Sequence, residues 1–211
     1  MNFCVMGESG SGKTTLCRGL PPKETYYIDC DGKGLSWKGW REQYNAENKN
    51  YKKTDDPGIV RGLMEGINLK CPNIHYLVID TLNGIMVGDE MRRINEKGYD
   101  KWVDLAASVY NLVVAANNFR DDLTTIFLAH SETIKDDDGY QFTHIKTNGK
   151  KLNKIVLESK FTTVLWAKQM NGEYVLVTRD PNSTCKSPMG AFETDTIPND
   201  IMAVLTALKE Y

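Results

Sequence analysis

The 211 residues contain no run approaching the roughly 18 consecutive apolar positions that a bilayer-crossing helix needs, so no such helix is expected. No positively charged leader precedes the first apolar segment, which leaves no room for a signal peptide and points to the cytoplasm. The five cysteines are odd in number and include no C-x-x-C pair, which argues against a zinc site or a disulfide frame and for reduced thiols in packed positions. Net charge is also small: 26 Lys and Arg against 28 Asp and Glu leave −2. Indiscriminate binding along duplex DNA, which goes with a strongly basic domain, is disfavoured, although a local basic groove is not. Two of the three histidines, His75 and His144, lack partners at metal spacing. There is no internal repeat, linker or low-complexity tract. A single domain is expected, able to bury roughly 70% of its unfolded surface.

What the chain does have stands at its start. After the apolar run Phe3-Cys4-Val5-Met6 come Gly7-Glu8-Ser9-Gly10-Ser11-Gly12-Lys13-Thr14, the G-x-x-x-x-G-K-[ST] phosphate loop, followed by Thr15 and Leu16. Glycines let the backbone curl so that several N–H groups face one anion, and a following helix end adds positive potential. Lys13 is expected to reach the β and γ phosphates, and the Thr14 hydroxyl to ligate Mg²⁺. ATP with Mg²⁺ is the ligand this pattern calls for.

The remaining elements alternate as in a mostly parallel sheet flanked by helices. Strands are expected at 25–29, 75–79 and 124–129, the second as an unbroken apolar run typical of a strand covered on both faces. Asp56-Pro57 opens a helix whose buried stripe is expected to be Ile59, Val60, Leu63, Met64 and Ile67. A second helix runs from about Trp102 to Phe119, with Val103, Ala106, Tyr110, Val113 and Ala116 inward. Beyond Asp136 to Gly139 lies a polar loop, then a β-hairpin turning at Asn171-Gly172 and a closing helix from about Asn199.

Several strand-end residues are candidates for chemistry. Asp80 follows the apolar strand at Ile79, where a carboxylate faces the phosphate loop and holds Mg²⁺; the alternative is a capping aspartate. Asp29 and Asp31 follow the second strand. Asp31 is the choice for orienting an attacking water, with a plain Asp-Gly turn as the alternative. His130 ends the strand at Ala129, either as a contact to the γ-phosphate or as a structural histidine.

The order of phosphate loop, Ile-Asp-Cys-Asp, Leu-Val-Ile-Asp-Thr and Phe-Leu-Ala-His resembles the RecA-type ATPase core over nearly the whole chain. More closely, the chain resembles small phage-encoded RecA-core ATPases regarded as minimal recombinases or single-strand annealing proteins, whose tails look like residues 185–192 and 197–200 here. The resemblance implies a RecA-like α/β fold and makes Asp31 the counterpart of a water-activating glutamate. It places His130 where a polar sensor, commonly glutamine, stands. Lys186 takes the position of a basic residue projected into a neighbour's nucleotide site, one where full recombinases carry a pair. It also implies self-assembly as a ring or filament, host-cell cytoplasm as the location, and a single-strand-binding protein as a partner.

Two stretches are candidates for holding single-stranded DNA. Residues 37–53 interleave Trp37, Trp40, Tyr44 and Tyr51 with Lys38, Arg41, Lys49, Lys52 and Lys53; core or subunit packing is the alternative. Tyr140, Phe142, Lys146, Lys150, Lys151 and Lys154 fall where, by the resemblance, RecA-like cores carry DNA-binding loops; solvated lysines are the alternative. The function expected is an ATPase acting on single-stranded DNA in annealing or strand exchange. Two other functions stand beside it. A KaiC-like regulatory ATPase binds no DNA, and a small-molecule kinase usually carries an arginine-bearing lid, whereas the seven arginines here are scattered apart from Arg92-Arg93.

Overall fold

The computed structural model describes residues 1–98, 100–147 and 156–211. In chain order its strands are β1 (Asn2–Gly7), β2 (Thr25–Asp29), β3 (Tyr51–Lys53), β4 (Tyr76–Asp80), β5 (Thr124–Lys135), β6 (Gln141–Ile145), β7 (Val164–Met170), β8 (Glu173–Val177) and β9 (Thr196–Pro198). The helices are α1 (Lys13–Leu16), α2 (Trp40–Gln43), α3 (Pro57–Lys70), α4 (Leu82–Arg92), α5 (Asp100–Ala116) and α6 (Ile201–Leu208). The sheet runs β3-β2-β4-β5-β1-β7-β8-β9, with β6 paired back onto β5. From β3 to β7 along that order neighbouring strands are parallel; β8 and β9 add antiparallel strands at the edge.

Alternation along the central strands divides the core into two layers. Phe3 and Val5, with Tyr27, Val78, Ile126 and Leu128, pack beneath α1, α6 and residues 35–44. Cys4 and Met6, with Ile28, Leu77, Ile79 and Phe127, pack beneath α3, α4 and α5. Side chains of successive strand residues point to opposite faces, so a strand covered on both sides is apolar at every position. The expected mostly parallel sheet with a C-terminal antiparallel hairpin is the one observed. All five cysteines are free, and four of them are buried.

Asp56 caps α3 as its sequence implies, its carboxylate accepting from the Gly58 and Ile59 N–H groups. The buried row is Val60, Met64 and Ile67, an i, i+4, i+7 stripe, whereas Ile59 is 49% exposed. In α5 the buried apolar row begins at Leu105, and Val103 stays exposed. The hairpin turn is as expected, with both Asn171 and Gly172 at positive φ.

Three features depart from the sequence reading. The helix after the phosphate loop is a single turn, continued only by a 3-10 segment at Cys17–Gly19. Pro21 and Pro22 follow and cannot extend it. The polar stretch after Asp136 is a turn in a hairpin: β5 runs on to Lys135 and returns as β6, the Asp136 carboxylate accepting from the Tyr140 N–H. Finally, Trp37 and Tyr44 are buried and stack edge-on with Tyr27 at ring separations of 5.6 to 6.4 Å. Within the tryptophan stretch, Trp37 and Tyr44 are core packing and offer no ring face to a base.

Candidate nucleotide site

Parallel register lines up the carboxyl ends of the central strands. Gly7 of β1 pairs with His130 of β5, Asp80 of β4 with Leu128, and Asp29 of β2 with Asp80. Ligands of open α/β sheets bind outside this edge. The sheet thus brings together Gly7, Asp29, Asp80 and His130, which are far apart in the chain.

In the phosphate loop Gly10 and Gly12 adopt φ of +79° and +93°, which residues with a Cβ rarely hold. A Cβ on Gly12 would meet the Tyr174 ring at 2.8 Å and the Asn199 amide at 3.1 Å, so β8 and the segment before α6 press on the loop. Lys13 donates to the carbonyls of Gly7 and Glu8, each at 2.7 Å. Burial, opposed in part by the Asp80 carboxylate, lowers its ammonium to about 8. α1 is only four residues long, so the loop has no long helix behind it.

Asp80 is almost wholly buried. Its Oδ2 accepts from the Thr14 hydroxyl at 2.8 Å and from the Tyr27 hydroxyl at 2.6 Å. Oδ1 is buried with no hydrogen-bond partner. Burial pushes this carboxyl above its ordinary range, against the two hydroxyls that favour its charged form. A buried carboxylate with one unpartnered oxygen beside a threonine hydroxyl fits a hard, oxygen-preferring cation. Among the described residues no group of three or more His, Cys, Asp or Glu stands together as a metal site. Mg²⁺ needs none, since it takes one or two protein oxygens and completes its shell with phosphates and water.

Asp29 serves the loop that follows it: its two oxygens accept from the Gly32 and Gly34 N–H groups, each at 2.8 Å, and from the Tyr51 hydroxyl at 2.7 Å. Asp31 faces the site but is held twice, accepting from Thr81 Oγ1 at 2.8 Å and from Lys33 Nζ at 2.5 Å. Burial raises its carboxyl, and the hydrogen bonds from Lys33 and Thr81 outweigh this and hold it below its ordinary range. Thr81 also caps α4, accepting from Gly84 N–H at 3.1 Å. Gly84 admits no side chain there, because a Cβ would lie 2.6 Å from the Cys30 carbonyl and 2.7 Å from Asp31. The sequence gives no role to Lys33 and only a weak assisting one to Thr81 beside Asp80. Lys33 has no motif around it, while Thr81 carried a weak signal in following Asp80.

His130 joins the site through its backbone, its N–H donating to Asn83 Oδ1 at 2.7 Å, while Asn83 Nδ2 donates to the Lys146 carbonyl at 2.8 Å. Burial, and then the charge of Lys13, lower the imidazole, so it is neutral at pH 7. With Asp31 it borders an open groove of about 720 Å³ along α4. Thr15 bonds Ser36 across 2.9 Å. Lys186 stands elsewhere: its backbone pairs with Val164, in the register of Cys4, three residues short of the loop. Tyr140 is exposed at the β5–β6 turn, and Phe142 pairs with Ile134 on the hairpin. Lys146 is exposed just beyond it, and Lys150, Lys151 and Lys154 lie outside the described residues.

The phosphate loop on β1, the Thr14–Asp80 pair and the parallel sheet define a P-loop NTPase. The model of the AAA domain family matches residues 1–187, and the chain belongs to that family. No curated protein matches it. Among solved structures it is similar to a KaiC-like protein from the hyperthermophilic archaeon Pyrococcus horikoshii OT3, at 15% identity over 83% of this chain and 76% of that one, with a TM-score of 0.41. Among the described residues no helix is long and apolar enough to cross a membrane.

Proposed function

We propose that this chain hydrolyses ATP, assembles with nucleotide at the junction between copies, and acts on single-stranded DNA in phage-type annealing or strand exchange. The observation that carries the ATPase reading is the buried Asp80, tied to Thr14 and left with one free oxygen beside the loop that holds Lys13. Thr14 and Asp80 would hold Mg²⁺, whose charge offsets that of the phosphates. Lys13 leaves the loop carbonyls for the phosphates, and Asp31 orients the attacking water once Lys33 yields one carboxylate oxygen. Aspartate is one methylene shorter than glutamate, which makes slow turnover the expectation.

The DNA-binding part rests on the β5–β6 hairpin. It is the continuation of β5 beyond His130 and carries exposed Tyr140 and Lys146 with half-buried Phe142, a mix of rings and charge suited to single strands. Titration calorimetry with ATP and Mg²⁺ tests nucleotide binding. ATP turnover with and without an oligonucleotide, across salt, tests the rest: affinity for single strands is expected to fall with a log–log slope near 0.7 per phosphate neutralised. Turnover and assembly indifferent to oligonucleotide would instead mark a regulatory ATPase.

A further inference from the structure

On the face of the sheet beneath α1, strands β1, β4 and β5 present Phe3, Val5, Val78, Ile126 and Leu128, whereas β2 presents Tyr27, which is fully buried. A buried hydroxyl is costly unless it is hydrogen-bonded, and phenylalanine would fill the same space without one. Register gives the hydroxyl its partner. Tyr27 pairs with Val78, and Asp80 stands two residues further along β4 on the same face, a diagonal that a tyrosine spans. The Tyr27 hydroxyl donates to Asp80 Oδ2 at 2.6 Å.

Oδ2 thus carries two donors from different elements, Tyr27 on the neighbouring strand and Thr14 on α1, while Oδ1, also buried, carries none. The terminal torsion of an aspartate is soft and two-fold, so nothing within the residue chooses which oxygen stays free. Two donors converging on one oxygen make that choice. Thr14 alone is the weaker anchor, because its hydroxyl oxygen is also a candidate ligand of Mg²⁺ and serves two partners. Tyr27 is itself braced: its ring meets Tyr44 edge-on at 5.6 Å and Trp37 at 6.4 Å, and Trp37 Nε1 donates to Gln43 Oε1 at 2.8 Å.

We infer that Tyr27 is a positioning residue of the metal site, its hydroxyl fixing Asp80 so that Oδ1 stays free for Mg²⁺ and its ring tying that setting to Trp37. It acts through Asp80. Partners of this kind orient a ligating group, and losing one typically lowers metal affinity by about 10–100-fold. The inference rests on the Mg²⁺-ATP part of the proposed function and adds the residue that sets the metal's hold.

Titration calorimetry of ATP in EDTA and in Mg²⁺ gives two dissociation constants, whose ratio is the gain that the ion confers. Tyr27→Phe keeps the ring and removes the donor, with circular dichroism as the control for folding. Its gain should fall by about tenfold or more while ATP affinity in EDTA stays nearly constant. A tyrosine that merely fills the core would leave the gain untouched, whatever it did to the thermal midpoint. In an Asp80→Asn background, Tyr27→Phe should lower the gain no further, and an additional fall would overturn action through Asp80. Should Tyr27→Phe fail to fold, the parent labelled with 5-fluorotryptophan supplies a second measurement. Trp37 is one of four tryptophans, and its fluorine resonance, identified by its absence from Trp37→Phe, should shift when Mg²⁺ joins the ATP complex. A parent that binds ATP no better in Mg²⁺ than in EDTA overturns the metal reading and this inference with it. A parent that shows the gain, beside a folded Tyr27→Phe with an equal gain or a Trp37 resonance blind to Mg²⁺, overturns this inference alone.

Discussion

The Thr14 hydroxyl donates to Asp80 Oδ2 across 2.8 Å, joining the phosphate loop of β1 to the end of β4, a strand separated from it by β5. A buried carboxyl raised above its ordinary range favours folding while protonated; that contribution is lost as pH rises through its folded value. At neutral pH without metal, Asp80 is therefore a strain on the fold. Asp80→Asn should raise the thermal midpoint in EDTA by about 2–4 °C and abolish the extra stabilisation that Mg²⁺ adds to ATP. Scanning calorimetry of both proteins, with and without Mg²⁺-ATP, checks this; unchanged Mg²⁺ dependence would remove Asp80 from the metal site.

Lys13 loses its proton near pH 8 in the free protein, and phosphates drawn to it restore the charged form. For stability the sign is the reverse of Asp80's behaviour with rising pH. Between about 8 and the ordinary lysine value the unfolded chain holds the extra proton, so this group's contribution improves with pH. At pH 8.5, ATP binding should take up most of a proton, read as a buffer-dependent enthalpy in titration calorimetry. The dependence should fade by pH 7 and be absent in Lys13→Met.

Lys33 holds Asp31 in its charged form. Asp31→Asn should lower kcat by about 10²-fold or more while ATP affinity stays nearly constant. Lys33→Ala should leave Asp31 active but move the acid limb of the kcat profile to higher pH. An acid limb that does not move would show that Asp31 is not the group being titrated.

Arg120 closes the end of α3, its guanidinium donating to the carbonyls of Ile67, Asn68, Cys71 and Ile74. These are carbonyls at and just beyond the end of α3, and a planar fork meets several at once. Arg120→Ala should destabilise the chain by about 2–4 kcal/mol, and Arg120→Lys should recover little of that. Urea unfolding gives the comparison, and equal stability of the alanine variant would contradict it.

On the β5–β6 hairpin, Tyr140→Ala with Phe142→Ala should weaken single-strand binding by about 1–3 kcal/mol per stacked base and leave the salt slope alone. Lys146→Ala should instead reduce that slope by about 0.7. Fluorescence anisotropy with a labelled oligonucleotide over a salt series separates the two.

Local chemistry was legible in the sequence wherever a backbone needs a particular residue. The phosphate loop, the Asp56-Pro57 helix start, the Asn171-Gly172 turn and the apolar strand before Asp80 each follow from constraints acting within a few residues. The β5–β6 hairpin was not legible, because a polar turn at 136–140 looks the same whether the chain returns beside itself or leaves. Nor was the burial of Trp37 and Tyr44, which depends on Tyr27 presenting its ring from a different strand. Register across parallel strands decided which carboxylate meets which hydroxyl: Asp80 reaches Thr14 and Tyr27, while Asp31 is claimed by Lys33 and Thr81. Composition and spacing determined that phosphate is bound, because backbone conformation is a local property. Which side chains attend it was left to tertiary structure, because hydrogen bonds and burial act between strands that are distant along the chain.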